Sequence, residues 1–413
     1  MFWEEIQSIH PFYGSETLFI SLFLSFLWTM RPSEKNRSGG ETESQSGRKN
    51  SIHPENMKNN DEHWMERCLQ LAQNGSEGAA PNPLVGAVIV HDGRIIGEGF
   101  HAQCGQAHAE VNAIASVNRK ELLKDSTLYV NLEPCAHYGR TPPCAKLIIE
   151  TGIPKVVVGM VDPFSEVDGA GIRMLRDAGI QVKTGVMEEQ CRWINRRFIT
   201  FHTKKRPYVT LKWAQSADGF MAPDLLTNSR DAIYISNDIS VIRAHHLRAT
   251  HQAILVGRRT ADVDNPTLTT RLWYGQNPLR VVIDPEGKLL AHLNIFNREA
   301  KTLVAGFFDQ YRRGEKAQYD FLPISDYETA LQEILDYLYH EGIQSLLVEG
   351  GAEVLNNFLY EELWDEAFVE VGDRSFGSGV DAPHIEESFL ADHDTFGGHR
   401  FNHYIYFDED DNG

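Results

Sequence analysis

The chain has 413 residues, 42% of them apolar and 23% charged, which is ordinary for a globular protein of two or three domains. A net charge of −19 argues against a nucleic-acid backbone as the main partner, while leaving room for a small phosphorylated substrate held by a few local cations. Five cysteines form no regular framework, which suits a reducing cytoplasm.

Residues 1–56 read as a disordered extension or a mispredicted start. The apolar run Leu18 to Trp28 is far short of the ~20 residues a membrane span needs. Glu4 and Glu5 precede it, where a secretory signal would carry positive charge. Residues 31–60 are polar and aperiodic, the pattern of a disordered segment, and with the apolar run so short no membrane partner is expected.

From Asp61 the pattern becomes regular. Trp64, Met65, Cys68, Leu69 and Ala72 mark an amphipathic helix over Glu62 to Gln73. A strand at Ala87 to Val90, an Asp92-Gly93 turn and a strand at Arg94 to Gly97 form a hairpin. A helix at Ala107 to Val117 follows, then a strand at Thr127 to Leu132 that ends at Glu133-Pro134-Cys135. Pro142-Pro143 opens a helix over Cys144 to Thr151. Strand Lys155 to Gly159, helix Gly171 to Ala178, strand Gln181 to Thr184 and a helix near Met187 to Phe201 complete a domain over 61–203.

A basic connector, His202 to Pro207, leads into a second α/β domain over 207–408. Its strands are expected at Tyr208 to Trp213, Ala253 to Gly257, Arg280 to Asp284, Thr302 to Gly306 and Ser345 to Glu349. A helix is expected over Asp326 to Glu341. Strands alternating with helices imply sheets covered on both faces.

His108-Ala109-Glu110, Pro134-Cys135 and Cys144 carry the chemistry. One His and two Cys thiolates supply three zinc ligands and leave a fourth tetrahedral position open for water. A non-ligating Glu two residues after the His is the proton shuttle of zinc base deaminases. Glu110 would accept the water proton and deliver it toward departing ammonia. His101 and His137 lie close enough in sequence to fill the fourth position instead, which would close the site.

Beyond this motif, PNPLVGAVIV (81–90), GEGFHAQCG (97–105), AHAEVNAI (107–114) and LEPCAHYGRTPPC (132–144) resemble the bifunctional riboflavin-biosynthesis deaminase–reductases. The resemblance extends through LKWAQSADG (211–219), LRATHQAILVGRRTADVDNPTLTTR (247–271), NPLRVVID (277–284), LLVEGGAEVLNNFL (346–359), LWDEAFVEVG (363–372) and FGSGVDAP (376–383). It implies a cytidine-deaminase-like three-layer α/β/α domain followed by a dihydrofolate-reductase-like α/β domain. The implied cofactors are one zinc per chain and NADPH, and the implied substrate is a phosphorylated pyrimidine. That substrate, a diaminopyrimidinone ribosylamino 5′-phosphate, would lose an amino group and then have its ribosyl group reduced to ribityl. A second half that binds ligand without reducing it is the alternative, and a homo-oligomer is expected.

The resemblance also assigns residues. Asn82 and Arg140 would contact substrate in the first site. In the second, Gln215, Tyr234, Thr260, Asp264, Pro285 and Gly351, Ala352, Glu353, Val354, Leu355, Asn356 and Asn357 would bind the cofactor. Lys212, Ala232, Arg248, Leu268, Arg271 and Glu349 would bind substrate. Departures from the family pattern are Asn112 for a frequent His, Tyr234 for Trp and Ala232 for Ser. Gly350-Gly351 lacks the dinucleotide fingerprint and by pattern alone is a tight strand-to-helix turn.

Overall fold

The computed structural model describes residues 55–137, 142–163, 169–224, 235–307 and 319–407, with side chains from residue 61 onward. Arg140, Ala232, Tyr234 and the expected extension up to residue 54 lie outside the described residues.

In the first half, α1 (Glu55–Gln73) leads into the hairpin β1 (Gly86–His91) and β2 (Arg94–Phe100). Asp92 and Gly93 both have positive φ, 48° and 69°, the backbone that lets a two-residue turn match the twist of its strands. After α2 (Ala109–Ser116) come β3 (Thr127–Leu132), α3 (Cys144–Thr151), β4 (Lys155–Met160), α4 (Ala170–Asp177) and β5 (Gln181–Lys183). The five strands are ordered β2-β1-β3-β4-β5, with β3, β4 and β5 parallel.

Strand alternation accounts for the layers. Ala87, Ile89, Leu128, Val130, Val156 and Val158 pack with Ala113 of α2, Ile148 of α3 and Leu175 of α4. Val88, Val90, Tyr129 and Val157 face the other way, onto Trp64, Met65, Cys68 and Leu69 of α1. The result is the three-layer α/β/α arrangement that the family resemblance implies.

The helix expected over Met187 to Phe201 is two helices, α5 (Glu188–Ile194) and α6 (Arg196–Lys204). They meet at Asn195, whose buried amide accepts from Leu84 N (2.8 Å) and donates to Leu84 O (3.1 Å). Asn195 caps both helices with a non-helical backbone (φ −101°, ψ 10°) while its side chain holds Leu84.

The second half is built on nine strands: β6 (Tyr208–Gln215), β8 (Ala253–Gly257), β9 (Leu279–Ile283), β10 (Thr302–Gly306), β11 (Asp320–Pro323), β12 (Ser345–Val348), β13 (Glu366–Val371), β15 (Leu390–Phe396) and β16 (His399–Ile405). Their order is β11-β10-β9-β8-β12-β6-β13-β16-β15, and a separate ribbon pairs β7 (Phe220–Pro223) with β14 (Gly379–Asp381). The first seven in that order are parallel, and β16 and β15 close the edge antiparallel. One face of the sheet packs on α9 (Ala330–His340) and α10 (Ala352–Tyr360), the other on α8 (Arg258–Asp264) with Leu268, Ile295 and Phe296. α7 (Asp238–Thr250) starts at Asn237, whose carboxamide oxygen accepts from Ile239 N and Ser240 N. None of the described helices is long and apolar enough to cross a membrane.

The connector is not a plain basic linker. Arg206 is buried and forms a bidentate pair with Asp365 at 2.6 and 3.0 Å, while Asp365 also accepts from Val209 N. Arg196 of α6 contacts Glu366 and the Tyr208 hydroxyl, and Arg197 reaches Thr250 O and His251, so the first half seats on the N-terminal ends of β6 and β8.

Candidate active sites of a deaminase and a reductase

His108 is the residue before α2, in extended conformation (φ −70°, ψ 163°), and Glu110 lies in the first turn. The two need not share a helix face, because the cluster sits beyond the helix start. Cys135 follows the end of β3, and Cys144 opens α3, with its backbone N–H on the Cys135 sulfur at 3.3 Å. Cys135 Sγ and Cys144 Sγ lie 3.6 and 3.3 Å from His108 Nδ1. Such spacings match the edges of a tetrahedron, about 3.5 Å for zinc–nitrogen and zinc–sulfur bonds of 2.0–2.3 Å. Among the described residues, His108, Cys135 and Cys144 are the group that brings its donor atoms together in this way.

Neither candidate for a fourth ligand joins them. His101 is buried with both ring nitrogens engaged, Nδ1 with Ala107 O at 3.1 Å and Nε2 with Asn82 Nδ2 at 3.0 Å. His137 is exposed and outside the cluster. Asn112 donates its amide to Phe100 O at 2.9 Å, a backbone-tying role.

The clustered groups perturb one another's protonation. The hydrogen bond between the two thiols draws Cys135 below the ordinary thiol range and pushes Cys144 above it. Burial, reinforced by Cys135, raises Glu110 to about 7. A buried carboxyl beside two sulfurs and an imidazole has no packing rationale, but suits proton transfer near neutral pH.

Glu133, which the motif reading passed over, has a structural task. Its buried carboxylate accepts from Gly171 N (2.8 Å), Gly169 N (3.0 Å), Ile172 N (3.2 Å) and Asp162 N (3.3 Å). It thereby satisfies the open N–H groups at the start of α4. Gly171 is required there, because a Cβ would fall 1.9 Å from Pro134 O.

In the second half, the expected residues gather at the C-terminal ends of the parallel strands, where ligands bind open α/β sheets. Gln215 ends β6, Thr260 and Asp264 lie in the helix after β8, Pro285 follows β9, and Glu349 follows β12. Gly350 has φ +125°, a backbone that side chains rarely adopt, and it turns the chain into α10. Residues 351–357 run from its N-cap through its first turns. Thr260 Oγ accepts from Gly351 N at 2.8 Å and so ties two of these segments together.

Arg248 spends its guanidinium on Glu349, in a buried bidentate pair at 2.8 and 2.7 Å. Burial opposes charge on Glu349, yet Arg248 and then Lys212 hold its pKa below the ordinary range. Lys212 lies on the face of β6 opposite Val209, Leu211 and Trp213, which settles its direction. Arg271 is exposed and bonds the Thr267 hydroxyl. Leu268 is buried at φ +52°. His245, one turn before Arg248, was not singled out from sequence; its Nδ1 is buried without a hydrogen bond. Asp218 does more than make a turn: its carboxylate accepts from Ser216 Oγ, Phe376 N and Gly377 N, which hold its pKa near 2.

Residues 58–160 match the cytidine and deoxycytidylate deaminase zinc-binding region, and residues 207–388 match the RibD C-terminal domain. The riboflavin biosynthesis protein RibD of Aquifex aeolicus (strain VF5) is 39% identical over 324 residues, covering 78% of this chain and 89% of the relative. The chain belongs to the RibD family. RibD of Escherichia coli (strain K12) is 35% identical over 332 residues, covering 77% of this chain and 89% of its own. A Thermotoga maritima crystal structure described as a diaminohydroxyphosphoribosylaminopyrimidine deaminase/5-amino-6-(5-phosphoribosylamino)uracil reductase superimposes with TM-score 0.73. It is 37% identical and covers 84% of this chain and 99% of its own. Acinetobacter baumannii RibD gives TM-score 0.74 at 31% identity over 85% of this chain. Like other RibD proteins, this one is a bifunctional enzyme of riboflavin biosynthesis, with a zinc-binding deaminase region and a reductase region that implies a nicotinamide cofactor.

Proposed function

We propose that the first half deaminates a diaminopyrimidinone carrying a ribosylamino 5′-phosphate, and that the second half reduces the ribosyl group of the product with NADPH. The observation that carries this reading is the three-ligand cluster of His108, Cys135 and Cys144, with buried Glu110 beside it. One zinc held there would supply a Lewis acid that makes hydroxide available near pH 7.

Glu110 takes up a proton on its carboxylate and returns it to the leaving amine, a role its burial beside the cluster favours. Asn82 contacts the substrate. Since His101 Nδ1 must donate to Ala107 O, its Nε2 accepts from Asn82 Nδ2. That fixes the amide orientation and supports a reading in which Asn82 Oδ1 serves as an acceptor for the substrate. Arg140 is assigned to the phosphate.

In the second site Lys212 and the Arg248–Glu349 pair orient the sugar, Leu268 lines it, and Arg271 takes the phosphate; Ala232 is assigned to the same substrate by the resemblance alone. Gln215, Tyr234, Thr260, Asp264, Pro285 and residues 351–357 hold NADPH. Beyond Gly351, whose own N–H is held by Thr260, the helix start offers backbone N–H groups to a cofactor phosphate.

Following ammonia release and NADPH loss separately on purified protein tests both halves. Zinc-replete protein that releases no ammonia from this substrate would overturn the first assignment. No NADPH oxidation with the deaminated product would overturn the second.

A further inference from the structure

The loop that presents Asn82 is held on several sides. Asn82 N donates to Ala79 O at 2.8 Å, and its side chain is fixed by His101. Leu84 is gripped by the amides of Asn195 and Asn131, with Asn131 Nδ2 on Leu84 O at 2.9 Å. All of these belong to the deaminase half. The remaining arm does not: Gln344 Nε2, from the residue before β12, donates to Pro81 O at 2.7 Å across 263 positions of sequence.

Gln344 is itself firmly placed. It is buried, its N–H donates to Gln252 Oε1 at 2.6 Å, and its carbonyl accepts from Tyr208 N at 3.0 Å. It therefore extends from the N-terminal edge of the reductase sheet with both backbone groups bonded. Asn82 and Gln344 also line the same interdomain cavity, of about 670 Å³.

We propose that Gln344 is a positioning residue for the deaminase site, through which the reductase half sets the placement of Asn82. The reductase half is thus part of the first site's binding apparatus, although it contributes nothing to the bond-making step. This rests on the reading that Asn82 contacts substrate.

The test uses the full-length, zinc-loaded protein with Gln344→Leu, which removes the donor, and Gln344→Lys, which restores one. Gln344→Leu should raise KM for deamination about three- to tenfold, the range of one lost hydrogen bond, with kcat little changed. Both constants for NADPH-dependent reduction should stay within about twofold, because Gln344 lies at the sheet edge opposite the cofactor residues. Gln344→Lys should return KM toward the parent value. In an Asn82→Ala background, Gln344→Leu should change KM by less than about twofold, since the group it positions is gone.

An unaltered KM in Gln344→Leu, while Asn82→Ala alone raises it, would overturn the proposal. So would full additivity of the two substitutions, or equal losses in both activities with no recovery in Gln344→Lys. An unaltered KM in Asn82→Ala alone would instead overturn the reading of Asn82.

Discussion

The two sites are built in opposite ways. The cluster proposed for deamination takes its candidate ligands and acid–base residue from His108 to Cys144, at two helix starts and one strand end. The proposed reductase site would draw on residues from Lys212 to Asn357, most of them just past the ends of parallel strands. A metal site can be local because three donors fix it. An extended dinucleotide and a phosphosugar need contacts over a long edge, which only several strand ends together provide.

The sharpest break between the regions should come from the metal ligands. Cys144→Ser should lose zinc and essentially all ammonia release, while reducing the deaminated substrate normally. Elemental analysis and the two separate assays check this; retained zinc would refute the ligand set. Next in size, Glu110→Gln should keep the metal and lower deamination by at least ~100-fold. Near-normal ammonia release would remove Glu110 from proton transfer.

The reductase side should give smaller, graded effects, because many contacts share the load. Arg271→Ala should raise KM for the deaminated substrate by roughly tenfold, the cost of one charge-assisted contact, and spare ammonia release. Loss of deamination with intact reduction would reverse the division between halves. Smallest, Thr260→Val should weaken NADPH binding by about two- to tenfold through the lost bond to Gly351 N. Titration of the cofactor by fluorescence would detect it, and unchanged affinity would separate Thr260 from the cofactor loop.

Legibility in the sequence followed the same contrast. The metal site could be read because its spacing is local and its donor types are few. Strands such as Ala253–Gly257 and Thr302–Gly306 were found to the residue, since full burial demands continuous apolar runs. The pair β15 and β16 was not found, because strands such as LADHDTF are half-solvated and charged. A signal did exist there: Gly397-Gly398, with φ of 59° and 82°, is a two-residue hairpin turn. Asn237 likewise announces α7 by its capping side chain. The break at Asn195 and the contacts of His101 had no local signal, since their partners are tertiary. Asn195 looks like any polar helical residue until Leu84 is placed beside it.

The Glu133 staple couples metal and fold. Cys135 lies two residues beyond a carboxylate that gathers four N–H groups around the start of α4. Chelation that frees the Cys135 strand end should therefore slacken a crossover whose described residues do not belong to the cluster. By thermodynamic linkage, the melting temperature of the first half should rise with free zinc concentration. Hydrogen exchange at Gly171 and Ile172 would then act as a remote gauge of metal occupancy, readable without any substrate.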